Sequence, residues 1–398
     1  MRIVSLKLRG FRNLQEAAFT FSPRVNLVLG RNGEGKTNFL EALNYFSLGR
    51  SHRGSKNEEL IGFDHEALHV QLEVEEESGN VLPCEFGLDR QGGRRFRLDG
   101  EAVRRRADLV GRLATVFFNP DSIQLVRGGP QERRSFVDQG MAEVDPLYLA
   151  ALTSLQRTLK QKSGLLRKYK LGLTNPAKTE EELRAWNREL ATHAAVVCLG
   201  RQDYARLLTP HAAESQRALT DQEDDLVFRY RPQLESVRNL LESDRDIPLK
   251  KLPEKEHLEG VIYQEIDYIR GSEMKRGRPL SGPQLDDFAV LLNRRFQPPE
   301  KGLDLRVYGS QGETRTAAIS LILARSDALF ARRRIRPVLF FDDIFSELDR
   351  ERTLRLQELA SRLHQVFIAT ARKEDVDGWH PDEMKIWNVE SGALNEVT

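Results

Sequence analysis

From Met1 to about Pro130 the apolar positions recur in short runs: Ile3 to Leu8, Val25 to Leu29, Leu68 to Glu75, Leu82 to Leu88, and Arg94 to Leu98 ahead of an Asp99-Gly100 turn. The dominant spacing is a period of two, that of side chains on a half-buried strand. One stretch breaks the series. Lys36 to Leu48 carries Phe39, Leu40, Leu43 and Phe46 at helical spacing directly after a glycine-rich segment, which predicts strand, loop and helix in succession.

Beyond Gln131 the pattern turns to long helical segments rich in Leu, Arg, Glu and Gln, running to about Arg276 with breaks at Leu173 to Lys178 and between Asp246 and Pro253. Leu226 to Tyr230 fits either a short strand or a connector. After a turn at Pro279 to Pro283, strand patterns return at Phe288 to Leu292 and Leu303 to Tyr308, followed by a helix and the apolar strand Val338 to Phe341. The simplest architecture is α/β: residues 1–130 and 300–398 fold together, and 131–299 form an inserted helical lobe.

Composition narrows the partners. With 61 Lys plus Arg against 60 Asp plus Glu the net charge is +1, so no global basic field exists and any nucleic-acid surface must be local. A charged fraction of 30% and a hydrophobic fraction of 39% suit a soluble protein. No apolar run approaches the roughly 18 residues a membrane span needs. Met1 to Phe11 lacks the apolar stretch of a secretory signal, and the two cysteines, Cys84 and Cys198, read as buried small hydrophobes in a reducing, cytoplasmic setting.

The chemistry starts at Gly30. Gly30, Arg31, Asn32, Gly33, Glu34, Gly35, Lys36 and Thr37 spell GRNGEGKT, the phosphate-loop pattern, between an apolar strand and an amphipathic helix as that pattern requires. Its glycines let backbone N–H groups turn inward, and the helix start adds partial positive charge. Lys36 would reach the β- and γ-phosphates, and Thr37 would offer its hydroxyl to Mg²⁺. A second site closes the strand VLFFDD: Asp342 is assigned to Mg²⁺ and Asp343 to the attacking water, the bland alternative being that the pair caps the next helix. Between these lies GSQGE, Gly309 to Glu313, opening a helical run from Ala317 to Phe330; Ser310 and Gly312 there could hold a γ-phosphate. With the chain's own loop already serving its ATP, that phosphate would belong to another molecule. Asp349, ending the SELD turn of Ser346, Glu347 and Leu348, reads equally as a plain helix cap.

Taken in order, GRNGEGKT, SQGE, VLFFDD and SELD resemble the ABC-type ATPase heads of the structural-maintenance class, in which two heads sandwich two ATP molecules. LRGFRNL (Leu8 to Leu14), NFLEAL after the loop, SHRGSKNEELI (Ser51 to Ile61), the run from Val116 to Asp138, SQGETRT and FFDDIFSELD resemble the RecF family of recombination mediators over nearly the whole chain. The resemblance implies an ABC-type ATPase head with an α-helical insertion, binding ATP and Mg²⁺. It adds Arg12, Asn13 and Asn38 to the nucleotide contacts, and gives Ser310, Gln311, Gly312 and Asp349 to the nucleotide of a second copy. It further implies an ATP-dependent homodimer on double-stranded or gapped DNA, weak hydrolysis, and cooperation with RecR and RecO partners. A compact ABC-type ATPase subunit of a nuclease or defence complex is the alternative.

This chain departs from the family pattern in places. Gly282 to Asp287 reads GPQLDD where G-P-H-R-D-D is usual, and Glu313 stands where glutamine is common. Thr370 follows the strand Val366 to Ala369 where transporters place a histidine, and Asn119 and Gln124 compete for the role of a glutamine ligand. Candidate DNA contacts are the basic clusters Arg104 to Arg106, Lys250 to Lys255, Arg332 to Arg336 and, foremost, Arg50 to Lys56.

Overall fold

The computed structural model describes the chain apart from residues 106–107, 221–223, 243–252, 295–301, 346–347, 362–364, 373–383 and 398. It divides into two compact units. Met1–Ile123, Glu214–Glu223 and Arg315–Thr398 form the first; Gln124–Ala213 and Asp224–Thr314 form the second.

The first unit holds two six-stranded sheets. Strands β1 (Arg2–Arg9), β2 (Ala17–Thr20), β4 (Ala67–Glu75), β5 (Val81–Asp89), β6 (Arg94–Leu98) and β7 (Glu101–Ala102) pair antiparallel in the order β2-β1-β4-β5-β6-β7. The other sheet combines β3 (Val25–Leu29), β8 (Thr115–Phe118), β12 (Val338–Asp342), β13 (Val366–Thr370), β14 (Met384–Glu390) and β15 (Ala393–Val397) in the order β15-β14-β3-β13-β12-β8. Its central strands run parallel, with Thr370 opposite Leu29 and Ala369 opposite Asp342. The ends of β3 and β12 therefore share the carboxyl edge of the sheet, where open α/β sheets bind ligands.

Helix α1 (Lys36–Leu48) packs against both sheets. Phe39 meets Phe19 and Phe21 edge-on, and Tyr45 stacks on Phe86 with ring centroids 4.5 Å apart. Ten of its residues are buried, so the helix is held on nearly every side and its first turn has little freedom. This unit also holds α11 (Arg350–Ser361).

The second unit carries α2 (Gln124–Arg127), α3 (Pro130–Val144), α4 (Pro146–Lys170), most of α5 (Pro176–Thr220), then α6 (Glu235–Glu242), α7 (Lys255–Tyr268) and α8 (Arg270–Arg276). It is not purely helical. Asp225–Arg231 is a strand, β9, resolving the open reading of Leu226 to Tyr230, and it pairs antiparallel with β10 (Asp287–Asn293), which also carries the two-residue β11 (Leu303–Asp304). The strand predicted for Leu303 to Tyr308 is corrected: Asp304 accepts the Arg306 N–H at 3.1 Å and starts the short helix α9 (Leu305–Tyr308) instead. Helix α10 (Gln311–Arg333) begins in this unit and continues in the first.

The acids of GPQLDD face inward. Asp286 is buried and accepts from Arg201 Nη1 at 2.9 Å, the Gln233 N–H at 2.8 Å and the Tyr230 hydroxyl, while Asp287 accepts from Arg133 Nε at 2.8 Å. Arg201 is paired in turn with Asp138 at 2.8 Å. These carboxylates hold the unit together, whereas Gln284 donates locally to the Ser281 carbonyl and Leu285 is exposed. Asp286→Ala is expected to lower unfolding stability by about 3–5 kcal/mol, because it strands three buried donors. Thermal unfolding checks this; an unchanged midpoint together with weakened DNA binding would make Asp286 a surface ligand instead.

Candidate nucleotide-binding site

The segment between β3 and α1 wraps around the Lys36 side chain. Lys36 Nζ donates to the carbonyls of Gly30 at 2.7 Å and Arg31 at 3.1 Å, and to Asn32 Oδ1 at 3.4 Å. Gly33 and Gly35 take φ of 89° and 123°, values that disfavour any side chain, and a Cβ on Gly35 would also press on Leu14 and Asn13. The loop is braced from outside by residues distant in sequence. Asn13 donates to the Glu34 carbonyl at 3.2 Å, the Gly392 N–H donates to the same carbonyl at 3.1 Å, and the Ser391 N–H donates to the Glu34 carboxylate.

Two strands away, β12 delivers its acids to the same edge. Thr37 Oγ1 donates to Asp342 Oδ1 at 3.0 Å. Asp343 turns into the left-handed region, φ 52°, with its N–H on the Ala369 carbonyl at 2.8 Å. Both acids thereby line a cavity of about 560 Å³ with Arg12, Asn32, Gly33, Gly35, Lys36, Thr37 and Asn38. Every lining residue belongs to the first unit.

The electrostatics await a cation and a polyanion. Burial pushes the Asp342 carboxyl up to about 6, neighbouring Asp343 adds to the rise, and the Thr37 hydrogen bond, Lys36 and Arg53 oppose it. Burial likewise lowers the Lys36 ammonium against the pull of Asp343, Asp342 and Glu34. The Thr37 and Asp342 oxygens fit Mg²⁺: ligands at 2.0–2.1 Å in an octahedron place neighbouring oxygens about 2.9–3.0 Å apart, close to their separation here. Among the described residues no group of three or more His, Cys, Asp or Glu could hold a metal. A Mg²⁺ ion held by Thr37 and Asp342 would take phosphate oxygens and water for the rest of its shell, as Mg²⁺ prefers.

Other predicted residues fall as follows. Arg12 lines the cavity and is anchored by Nε to Glu41 at 2.7 Å and by Nη2 to Ser55 at 2.9 Å; Asn38 donates to Asn13 Oδ1 at 2.7 Å. Asn119 lines the cavity, whereas Gln124 opens α2 in the other unit. Thr370 is buried at the end of β13, its hydroxyl accepting from the Arg372 N–H at 3.2 Å. Asp349 caps α11, accepting the Arg352 N–H at 2.8 Å, and is not among the residues lining the cavity. Ser310, Gln311 and Gly312 form the start of α10 in the second unit.

A family model described as the RecF/RecN/SMC N-terminal domain matches residues 2–392. The chain is 31% identical over 397 residues to the DNA replication and repair protein RecF of Halalkalibacterium halodurans, covering 100% of each. The chain belongs to the RecF family. A solved RecF recombination mediator with ATPrS, of the RecFOR pathway, is similar with a TM-score of 0.85 at 28% identity, over 100% of this chain and 98% of that one. The Smc head domain of Pyrococcus furiosus shares the fold, with a TM-score of 0.55 at 16% identity over 99% and 95% of the two chains. The ABC-type ATPase head with a helical insertion is thus the fold of this RecF-family chain.

Sequence reasoning missed several parts of the site. Glu41, buried inside α1, holds Arg12 and accepts from Ser51; no local signal marks it, since a glutamate in a helix ordinarily faces water. His52 and Arg53, within the segment expected to contact DNA, line this cavity, with the His52 ring 4.0 Å from Phe117 and burial lowering its pKa to about 4. In the basic cluster at 332–336, Arg333 Nη1 donates to the Gly111 carbonyl at 3.0 Å. Arg106, Lys250, Lys251, Ser346 and Glu347 lie outside the described residues.

Since the folded protein holds the Asp342 proton more tightly than the unfolded chain, nucleotide-free stability falls as pH rises from about 4 to about 6 and stays low above that. Asp342→Asn should therefore stabilise the nucleotide-free protein at pH 7.5 by on the order of 2 kcal/mol, a gain that vanishes at acid pH. Melting curves across this range test it, and an Asn variant no more stable than wild type at pH 7.5 would refute the burial argument.

Proposed function

We propose that this protein is an ATP-dependent DNA-binding ATPase of recombinational repair and replication restart. Two copies close over duplex or gapped DNA when each binds ATP, and slow hydrolysis releases them. The observation that carries this reading is the Thr37–Asp342 oxygen pair, 3.0 Å apart beside Lys36 and next to Asp343. Lys36 leaves its carbonyl partners for the β- and γ-phosphates, and Arg12, Asn13, Asn38 and the backbone of 30–37 hold the rest of the triphosphate. Thr37 and Asp342 would hold Mg²⁺, whose chemistry there would be to offset phosphate charge. Asp343 orients and deprotonates the attacking water, since phosphoryl transfer depends on positioning and charge stabilisation.

The cavity is lined by the first unit alone, and neither Asp349 nor the Ser310 turn is among its lining residues. Ser310, Gln311, Gly312 and Asp349 act in trans in this scheme, so that ATP joins the two copies. RecR and RecO partners then direct recombinase loading, as the RecFOR name of the solved relative suggests. Exposed arginines contact the DNA backbone, with affinity falling as salt rises. No described helix is long and apolar enough to cross a membrane.

Solution mass measured with ATP, ADP and a gapped duplex tests the scheme: a dimer is expected with ATP and a monomer with ADP. Asp343→Asn should bind ATP, persist as a dimer, and lose single-turnover hydrolysis by about 10²-fold or more. Rapid turnover by that variant would remove Asp343 from the mechanism, and a nucleotide-independent mass would remove the clamp.

A further inference from the structure

Ser310 and Glu313 form a reciprocal cap at the start of α10. The Ser310 N–H donates to Glu313 Oε2 at 2.8 Å, and the Glu313 N–H donates to Ser310 Oγ at 3.2 Å. The glutamate is held ionised: the Ser310 backbone hydrogen bond, then the Ser310 side chain and Arg294, lower its pKa against the effect of burial. A carboxylate thus sits at the helix end offered to a partner copy's phosphate, where the ABC pattern commonly has a neutral glutamine. Two anions at one helix terminus repel each other and compete for the same N–H groups.

One residue answers this charge. Arg294, immediately after β10, donates Nη2 to Glu313 Oε1 at 3.2 Å, and its side chain remains 55% exposed. Among the described residues its other guanidinium N–H groups make no hydrogen bond, so the pairing leaves donors for an incoming anion. An isolated exposed ion pair contributes little to folding, so the pair is not needed to hold α10 in place.

We infer that Arg294 is a positioning residue of the Ser310 half-site, supplying the positive charge that lets a helix end bearing Glu313 accept a second copy's triphosphate. The inference rests on Ser310 acting in trans. It makes a prediction that role alone does not: the requirement for Arg294 exists because residue 313 is a glutamate, and it disappears when that charge is removed.

The test is a double-mutant cycle on ATP-dependent dimerisation by sedimentation, using wild type, Arg294→Ala, Glu313→Gln and the double variant, with Ser310→Arg as a control. Arg294→Ala should weaken dimerisation about tenfold, and the double variant should stay within about threefold of Glu313→Gln. A fluorescent ATP analogue should bind the Arg294→Ala monomer as it binds wild type, because the loop at 30–37 is untouched, and melting without nucleotide should not change. Equal losses from Arg294→Ala in both backgrounds, or no loss while Ser310→Arg abolishes dimerisation, would overturn the inference and leave the trans site standing. Wild-type dimerisation that survives Ser310→Arg would overturn both.

Discussion

The hydroxyl of Thr37 donates to a carboxylate 305 residues further along the chain, and the nucleotide site depends on that contact. Neither residue is useful alone. Thr37 is placed by α1, which is immobilised between two sheets, and Asp342 by a strand buried along its whole length. The two halves of the first unit must therefore fold together before these two protein oxygens stand side by side. There the buried carboxylate is poorly solvated, which is why its pKa rises to about 6.

Much of this was legible in the sequence because the decisive elements are local. The strand Val25–Leu29, the loop and the helix Lys36–Leu48 form one continuous signal, and the paired acids at the end of β12 follow from an apolar run that stops abruptly. The braces were not legible. Glu41 with Arg12, and Gly392 with Glu34, join residues 29 and 358 positions apart, and neither pair carries a periodicity or a motif. Leu303 to Tyr308 misled for a different reason. Leu303, Leu305 and Val307 alternate like a strand, but the side chain of Asp304 captures a backbone N–H and starts a helical turn.

Departures from the family pattern also separate into two kinds. In GPQLDD the two acids are structural, tying Arg201, Tyr230 and Arg133 into the core of the second unit, whereas Gln284 donates outside that network to the Ser281 carbonyl. At Glu313 the departure falls on a surface that the scheme gives to a partner's phosphate, and a compensating arginine stands beside it. A changed charge matters most where a second charge must later arrive.

The central claim is that the loop at 30–37 is half of a composite site whose other half comes from a second copy. Mixing two inactive variants tests it most directly. Lys36→Arg spoils a copy's own loop and leaves its Ser310 intact; Ser310→Arg does the reverse. Each alone should fail to dimerise with ATP, whereas an equimolar mixture should form ATP-dependent heterodimers containing one intact composite site. A mixture no more associated than its separate components, under conditions where wild type dimerises, would contradict the shared site.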